Sequence, residues 1–319
     1  MTLRRSLFAL LAVSTLVLTA AVPRAQTAAQ APAPVKMAGF PGSGEPAIVT
    51  VISAGAAPRK LLRYQIPAGY TGNLTLMSEI STTNNIMGQT MPMTMPTTTT
   101  SATLAATNIA ENGDITYTVS LTDLKLEGGD GLFAQAMGGM TDQLKGAITS
   151  IKNTATMTNR GVMKSSKMDV PDPAMKELLS QMSGSLDNLG TALPEEAVGV
   201  GAKWEVRVAV TTSGAVNFLK TTYEVTSLDG QTVGLKVTSE QTAPAQPVSN
   251  AMLSGMGAEV TMDKLTGAGT GTLVIKLDSL VPTSTMESTT SSSMTVNMAG
   301  QSLPMTSDGK IKLTVTPVK

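Results

Sequence analysis

The chain has 319 residues, 23 basic and 23 acidic, with no Cys, no His, 3% aromatic residues and 21 Met. The missing His removes Ser-His-Asp and Cys-His nucleophile systems, His-ligated zinc, facial-triad iron and haem His ligation. The missing Cys removes disulfides, and the balanced charge gives nothing that would steer the chain to nucleic acid or an anionic surface.

Residues 1–25 read as a cleaved secretory signal. Arg4 and Arg5 form a basic start, and Leu7 to Val22 is an uncharged apolar run, short for a spanning helix. Small residues and Pro23 follow, with Ala21, Ala25 and Ala29 as alternative cleavage points. Removing Arg4, Arg5 and Arg24 from the 23 basic residues leaves 20 against 23 acidic, a mature charge of −3. The expected location is secreted or periplasmic, with no membrane anchor after cleavage.

Residues 26–46 are rich in Ala, Pro, Gln and Gly and read as a mostly disordered linker. The rest, 47–319, reads as one β-rich domain: a β section at 47–128, a helical insert at 129–192 and a second β section at 193–319. Strand signals begin at Ile48 to Ile52. Leu74, Leu76 and Ile80 share one parity, the period of a half-buried strand. A turn at Gly88-Gln89 follows, and then Met91, Met93 and Met95 alternate with polar residues. Pro92 and Pro96 place this strand at an edge or a bulge. Glu111-Asn112-Gly113-Asp114 reads as a hairpin turn into Ile115, Tyr117, Val119 and Leu121.

The period changes at Leu132. Leu132, Phe133, Ala136, Met137, Met140, Leu144 and Ile148 fit one helical face, interrupted by Gly138-Gly139. Ile151 to Met168 reads as strand. A second helix starts with Asp172 as cap and Pro173 at its first position, carries Met175, Leu178, Leu179, Met182, Leu186 and Leu189 on one face, and ends near Gly190. The second β section opens with Trp204, Val206, Val208 and Val210. Asp229-Gly230 is a turn, 241–258 is irregular, and Val260 to Met262, Leu273 to Leu277, Met286 to Met298 and Ile311 to Val315 are strand-like. With so few aromatics, Met is expected to supply the core volume.

Gly88-Gln89-Thr90-Met91-Pro92-Met93-Thr94 returns as Gly300-Gln301-Ser302-Leu303-Pro304-Met305-Thr306, 212 residues later. Each copy reads as a hairpin tip and suggests a duplication. Leu144-Lys145-Gly146-Ala147 against Leu265-Thr266-Gly267-Ala268 is spaced at 121 instead, so a simple tandem copy fails.

Met87, Met91, Met93 and Met95, with Met294, Met298 and Met305 around the matching tip, are the sharpest site candidate. Thioethers are soft, uncharged ligands that suit Cu(I). The competing reading, that Met is this chain's ordinary hydrophobe, is the stronger one. Ser307-Asp308-Gly309-Lys310 has the spacing of Ser/Lys acyl-transfer enzymes but reads as a turn. Gly267-Ala268-Gly269-Thr270-Gly271 reads as a glycine kink or bulge, not a dinucleotide loop. The carboxylate pairs Glu195-Glu196, Asp123 with Glu127, and Glu259 with Asp263 read as solvated surface.

Pro194-Glu195-Glu196-Ala197-Val198-Gly199-Val200-Gly201-Ala202-Lys203-Trp204 carries a P-x-x-x-V-x-V-G-x-x-W pattern. It resembles the signature of an uncharacterised family of secreted bacterial β-rich proteins and lipoproteins, a domain of unknown function. The resemblance covers about 60–319, and the lipid-anchoring Cys of some members is absent here. It implies location and architecture and brings no activity.

The expected fold is mainly β (α+β): long antiparallel strands in a strongly curved sheet or half-barrel, with a two-helix insert over its concave face. The expected function is a non-enzymatic binding protein of unknown, apolar or lipid ligand. Alternatives are a structural or interaction protein of the envelope, and a Met-based Cu(I) binder. No cofactor is expected, and the expected partner is an apolar ligand or an envelope protein.

Overall fold

A computed structural model describes residues 35–129, 151–169, 191–212, 214–248, 258–298 and 301–318, with Gly146 and Thr149. Alternating apolar and polar residues give fourteen strands among these residues. They are β1 Ile48–Ser53, β2 Thr71–Ile86, β3 Gln89–Thr94, β4 Thr97–Ile109, β5 Ile115–Glu127, β6 Lys152–Met157 and β7 Met163–Asp169. The second section supplies β8 Lys203–Thr212, β9 Ala215–Asp229, β10 Thr232–Ala243, β11 Gln246–Val248, β12 Glu259–Lys276, β13 Thr283–Met298 and β14 Gln301–Val318. All belong to one antiparallel sheet, ordered β1-β8-β9-β10-β12-β13-β14-β2-β4-β5-β6-β7, with β11 on β12 and β3 on β2.

The expected antiparallel β architecture is the observed one, and the sheet is open and curled. In a flat sheet β5 and β12 would stand roughly 24 Å apart, five strand spacings. Here Tyr117 of β5 and Ile275 of β12 line one void of about 20 Å³. One core cluster therefore takes Leu74, Leu104, Tyr117 and Met157 from one side and Trp204, Val225, Leu235 and Ile275 from the other. Leu62, Tyr64 and Ile66, together with Leu193 and Val198, fill its centre from the connecting segments.

The strand β12 shows how the bend is accommodated. Gly267, Gly269 and Gly271 lie opposite Gln241, Ser239 and Val237, so all three face the inner side. A Cβ on Gly271 would stand 2.2 Å from the Thr285 carbonyl oxygen. The glycines permit a close approach inside a continuous strand. The register shift expected of them falls earlier, between Met262 and Lys264.

Several sequence expectations are corrected. Asp308-Gly309 is not a turn but the middle of β14, where Gly309 is paired with Thr290 and Thr82. Its missing side chain leaves room for the Thr290 hydroxyl, 2.8 Å from where a Cβ would be. The first hairpin turns at Met87-Gly88 (φ 53° and 79°), one residue before the expected place. Among the described residues the main core cluster holds one buried Met, Met157, with Met163 and Met286 packed against it, so Leu, Val, Ile and aromatic residues supply most of its volume. Part of the expected linker is ordered: Phe40 meets Phe218 edge-on at 5.3 Å, and Arg207 donates to the Gly39 carbonyl. Lys152–Met157 and Met163–Asp169 form strands within 129–192, as the 151–168 pattern implied. The two helices expected at 132–148 and 172–190, and Leu144 of the shorter repeat, lie outside the described residues; Gly146 and Thr149 are helical.

Burial pushes the Tyr223 phenol up to about 12 and raises that of Tyr64 as well. An unfolded tyrosine ionises near 10. The folded pKa is the higher one, so the contribution to stability is complete below pH 10 and is lost as pH rises toward about 12. Denaturation midpoints measured across that range should fall. Full tyrosinate absorbance near pH 10 with the fold intact would contradict it.

Candidate functional site

The P-x-x-x-V-x-V-G-x-x-W segment is built into the core. Arg63 donates to the carbonyls of Leu62, Pro194 and Glu195. Arg160 donates to the Leu193 carbonyl and pairs with the exposed Glu195 carboxylate. Burial, and then the neighbouring Arg160 charge, lower the Arg63 pKa, and the Glu195 and Glu196 carboxylates oppose the shift. Val198 bridges Lys60 and is fully buried. Trp204 is stacked on Tyr223 at 5.4 Å and donates its indole N–H to the Ala192 carbonyl. These residues clamp segments 60–66 and 191–198 to the sheet, and their role is architectural. Of the carboxylate pairs, Glu195 is held by Arg160 and Asp263 accepts from Thr295. Ser307 and Lys310 fall on opposite faces of β14, three residues apart, so they do not form a nucleophile–base pair.

The two repeated tips are both hairpins of the same register. Ile86 pairs with Gln89 in the first, and Met298 with Gln301 in the second. They are also neighbours, because β14 pairs with β2, bringing Met305 opposite Ile86. Met91, Met93 and Met95 lie half-buried on one parity of the first hairpin. Met87 stands in the turn, 64% exposed, beyond the last ladder pair. Along a strand such side chains are roughly 7 Å apart. Around the second tip, the register aligns two of the expected methionines, Met294 and Met305, and adds Met262, which the spacing along the chain did not reveal. Met262 pairs with Met294, and Met294 with Met305, so three methionines stand in one cross-strand row. Among the described residues no group of three or more carboxylates is placed to hold a metal ion.

A groove of about 650 Å³ runs across β12, β13, β14, β2 and the β3–β4 junction. The register sorts its lining into rows. Thr270, Glu287, Lys312 and Glu79 form one row, and Ala268, Thr289, Lys310, Ser81 and Thr94 the next on the same face. The intervening row of Gly269, Ser288, Ile311 and Ile80, joined by Met95, turns its side chains to the opposite, inner face. Lys312 lies 4.0 Å from Glu79. Such an exposed pair contributes about 0–1 kcal/mol and opens readily to a competing group. Lys310 and Glu287 make no ion pair among the described residues. No single strand carries this groove, so periodicity along the chain gave no sign of it.

No curated protein matches the chain. Among solved structures it is similar to OpdO of Pseudomonas aeruginosa, at 6% identity and a TM-score of 0.22 over 78% of this chain and 98% of that one. It is also similar to OccK11 (OpdR) of the same organism, at 7% identity and a TM-score of 0.20 over 81% and 100%. Scores this low carry no argument. Residues 135–279, which include the Pro194-to-Trp204 segment, match the model of DUF6263, a family of unknown function.

Proposed function

We propose that the chain is a non-enzymatic binding protein of the cell envelope, exported by its N-terminal leader, and that it holds an elongated lipid-like amphiphile in the groove across β12, β13, β14 and β2. The size of that groove carries the reading. At about 650 Å³ it is on the scale of small-ligand sites, whereas the void inside the core, about 20 Å³, holds little more than one water. Its chemistry suits an amphiphile. On one face, Lys310, Lys312, Glu79 and Glu287 offer a charged head group partners of both signs, and Ala268 with the methylene stems of the two lysines supplies apolar surface beside them.

Titration of the mature chain with a fluorescent fatty acid tests it. Saturable one-site binding is expected for the native protein, and loss of that binding for Thr289→Trp, which fills the groove from an exposed position. Unchanged binding by a folded Thr289→Trp variant, or no binding by the native chain, rejects the groove as the site.

A second reading is an interaction protein. β3 pairs only with β2 among the described residues, which leaves its other edge for a partner strand.

A further inference from the structure

We infer that Met262, Met294 and Met305 form a three-thioether site for a soft monovalent cation, Cu(I) or Ag(I). The inference is independent of the groove and uses a different part of the sheet.

The starting observation is where methionine sits. The main core uses Leu, Val, Ile, Tyr and Trp and holds one buried Met. Among the described residues methionine instead gathers at the end of the sheet that bears the two hairpin tips. There Met262 of β12, Met294 of β13 and Met305 of β14 are directly opposite one another on three adjacent strands. Residues opposite each other share a face, with Cβ atoms about 5 Å apart. An unbranched thioether with three rotatable bonds spans that gap, so three sulfurs can meet at one point. The run Met91, Met93, Met95 lacks this geometry, because its members repeat along a strand at roughly 7 Å.

The surroundings suit the same ion. On one side of the trio lies the row Val260, Val296 and Leu303. Met262 packs in an apolar cluster with Ala215 and Ala243, and Met294 and Met305 pack on Val260 and Val296. These neighbours are apolar, and Asp263, the carboxylate next to Met262 in the chain, accepts from Thr295, so the packing offers a hard dication little. A soft cation is satisfied by neutral sulfur, and its single charge is the least costly to hold in such a site. Met262 is buried and Met294 and Met305 are half-buried, which leaves one side open for the ion to enter.

Two measurements on the mature chain test the site. The first follows the methyl resonances of [methyl-13C]methionine-labelled protein as Ag(I) is added. Shifts confined to Met262, Met294 and Met305, complete at one equivalent, are expected. Shifts led by Met91, Met93 and Met95, shifts spread evenly over all methionines, or no shift would each overturn the assignment. The second is an anaerobic Cu(I) competition titration. Met294→Leu keeps the volume and removes the central sulfur. Losing an outer-shell partner alone costs a metal site roughly 10–100-fold in affinity, so losing a ligand should cost at least about tenfold. Unaltered Cu(I) affinity in a folded Met294→Leu chain would sink the site, and the Ag(I) experiment on the native chain decides the matter if that variant does not fold.

Discussion

Replacing Trp204 with alanine lowers the stability of the fold by about 3–5 kcal/mol, the range for losing a fully buried large aromatic side chain. Trp204 is 0% exposed and is the largest side chain in the core. Three contributions are lost together. Its ring surface leaves a cavity between β8 and segments 60–66 and 191–198, its stack on Tyr223 disappears, and the Ala192 carbonyl loses its N–H donor. Trp204→Phe separates these terms. It keeps most of the apolar area and leaves the acceptor unpaired, at a cost of about 1–3 kcal/mol. Val200→Ala, four residues earlier in the same segment and 48% exposed in the native chain, should stay within about 0.5 kcal/mol. Urea denaturation of the three variants orders them. A Trp204→Ala chain as stable as Val200→Ala would contradict the role assigned to the indole.

Gly199→Ala is expected to be comparably damaging, at about 3 kcal/mol, the upper end of ordinary overpacking. The added Cβ would lie 1.7 Å from the Ala56 carbonyl oxygen. That atom belongs to backbone, so no side-chain rotation relieves the clash. Nor can the backbone retreat easily. Ala56 donates to the Val200 carbonyl at 2.9 Å, Gly199 donates to Ala54 at 2.9 Å, and Lys60 and Val198 exchange bonds at 2.9 and 3.0 Å. Gly201→Ala provides the comparison. Its φ is +78°, but nothing stands within 4 Å of its Cβ position, so only conformational strain of about 1–2 kcal/mol applies. Equilibrium denaturation should rank Gly199→Ala well below Gly201→Ala. The reverse order would mean that the crossing of the two segments relaxes freely.

These two residues also show what the sequence made legible. The pattern ending in Trp204 stood out as a motif, but nothing in the spacing tells an architectural clamp from a site. That distinction needed the Ala56 carbonyl and the Ala192 carbonyl, both supplied by other parts of the chain. Strand content was legible because each strand carries its own period: Ile115, Tyr117 and Val119 alternate wherever the strand is placed. The turns at Asn112-Gly113 and Asp229-Gly230 were legible for the same local reason.

Strand order was not legible. β14 pairs with β2 although more than 200 residues separate them. The row of Met262, Met294 and Met305 lies on consecutive hairpins, but its alignment depends on the register shift between Met262 and Lys264. Glycine misled in a consistent direction. Gly309 looks like a turn in sequence, yet it marks close approach on the inner side of a long strand. The methionine count suggested core filling because composition carries no position. Phe40, in a Pro- and Gly-rich stretch, gave no periodic signal at all, and its docking depends on Phe218 and Arg207, both far along the chain.

Native mass spectrometry of the chain, purified gently from its native host, is the most direct test of the proposed binding role. The expected result is a mass excess that denaturation releases as a lipid, present in the native chain and absent from Thr289→Trp. A bare monomer in both preparations would contradict the carrier account and leave a structural role in its place.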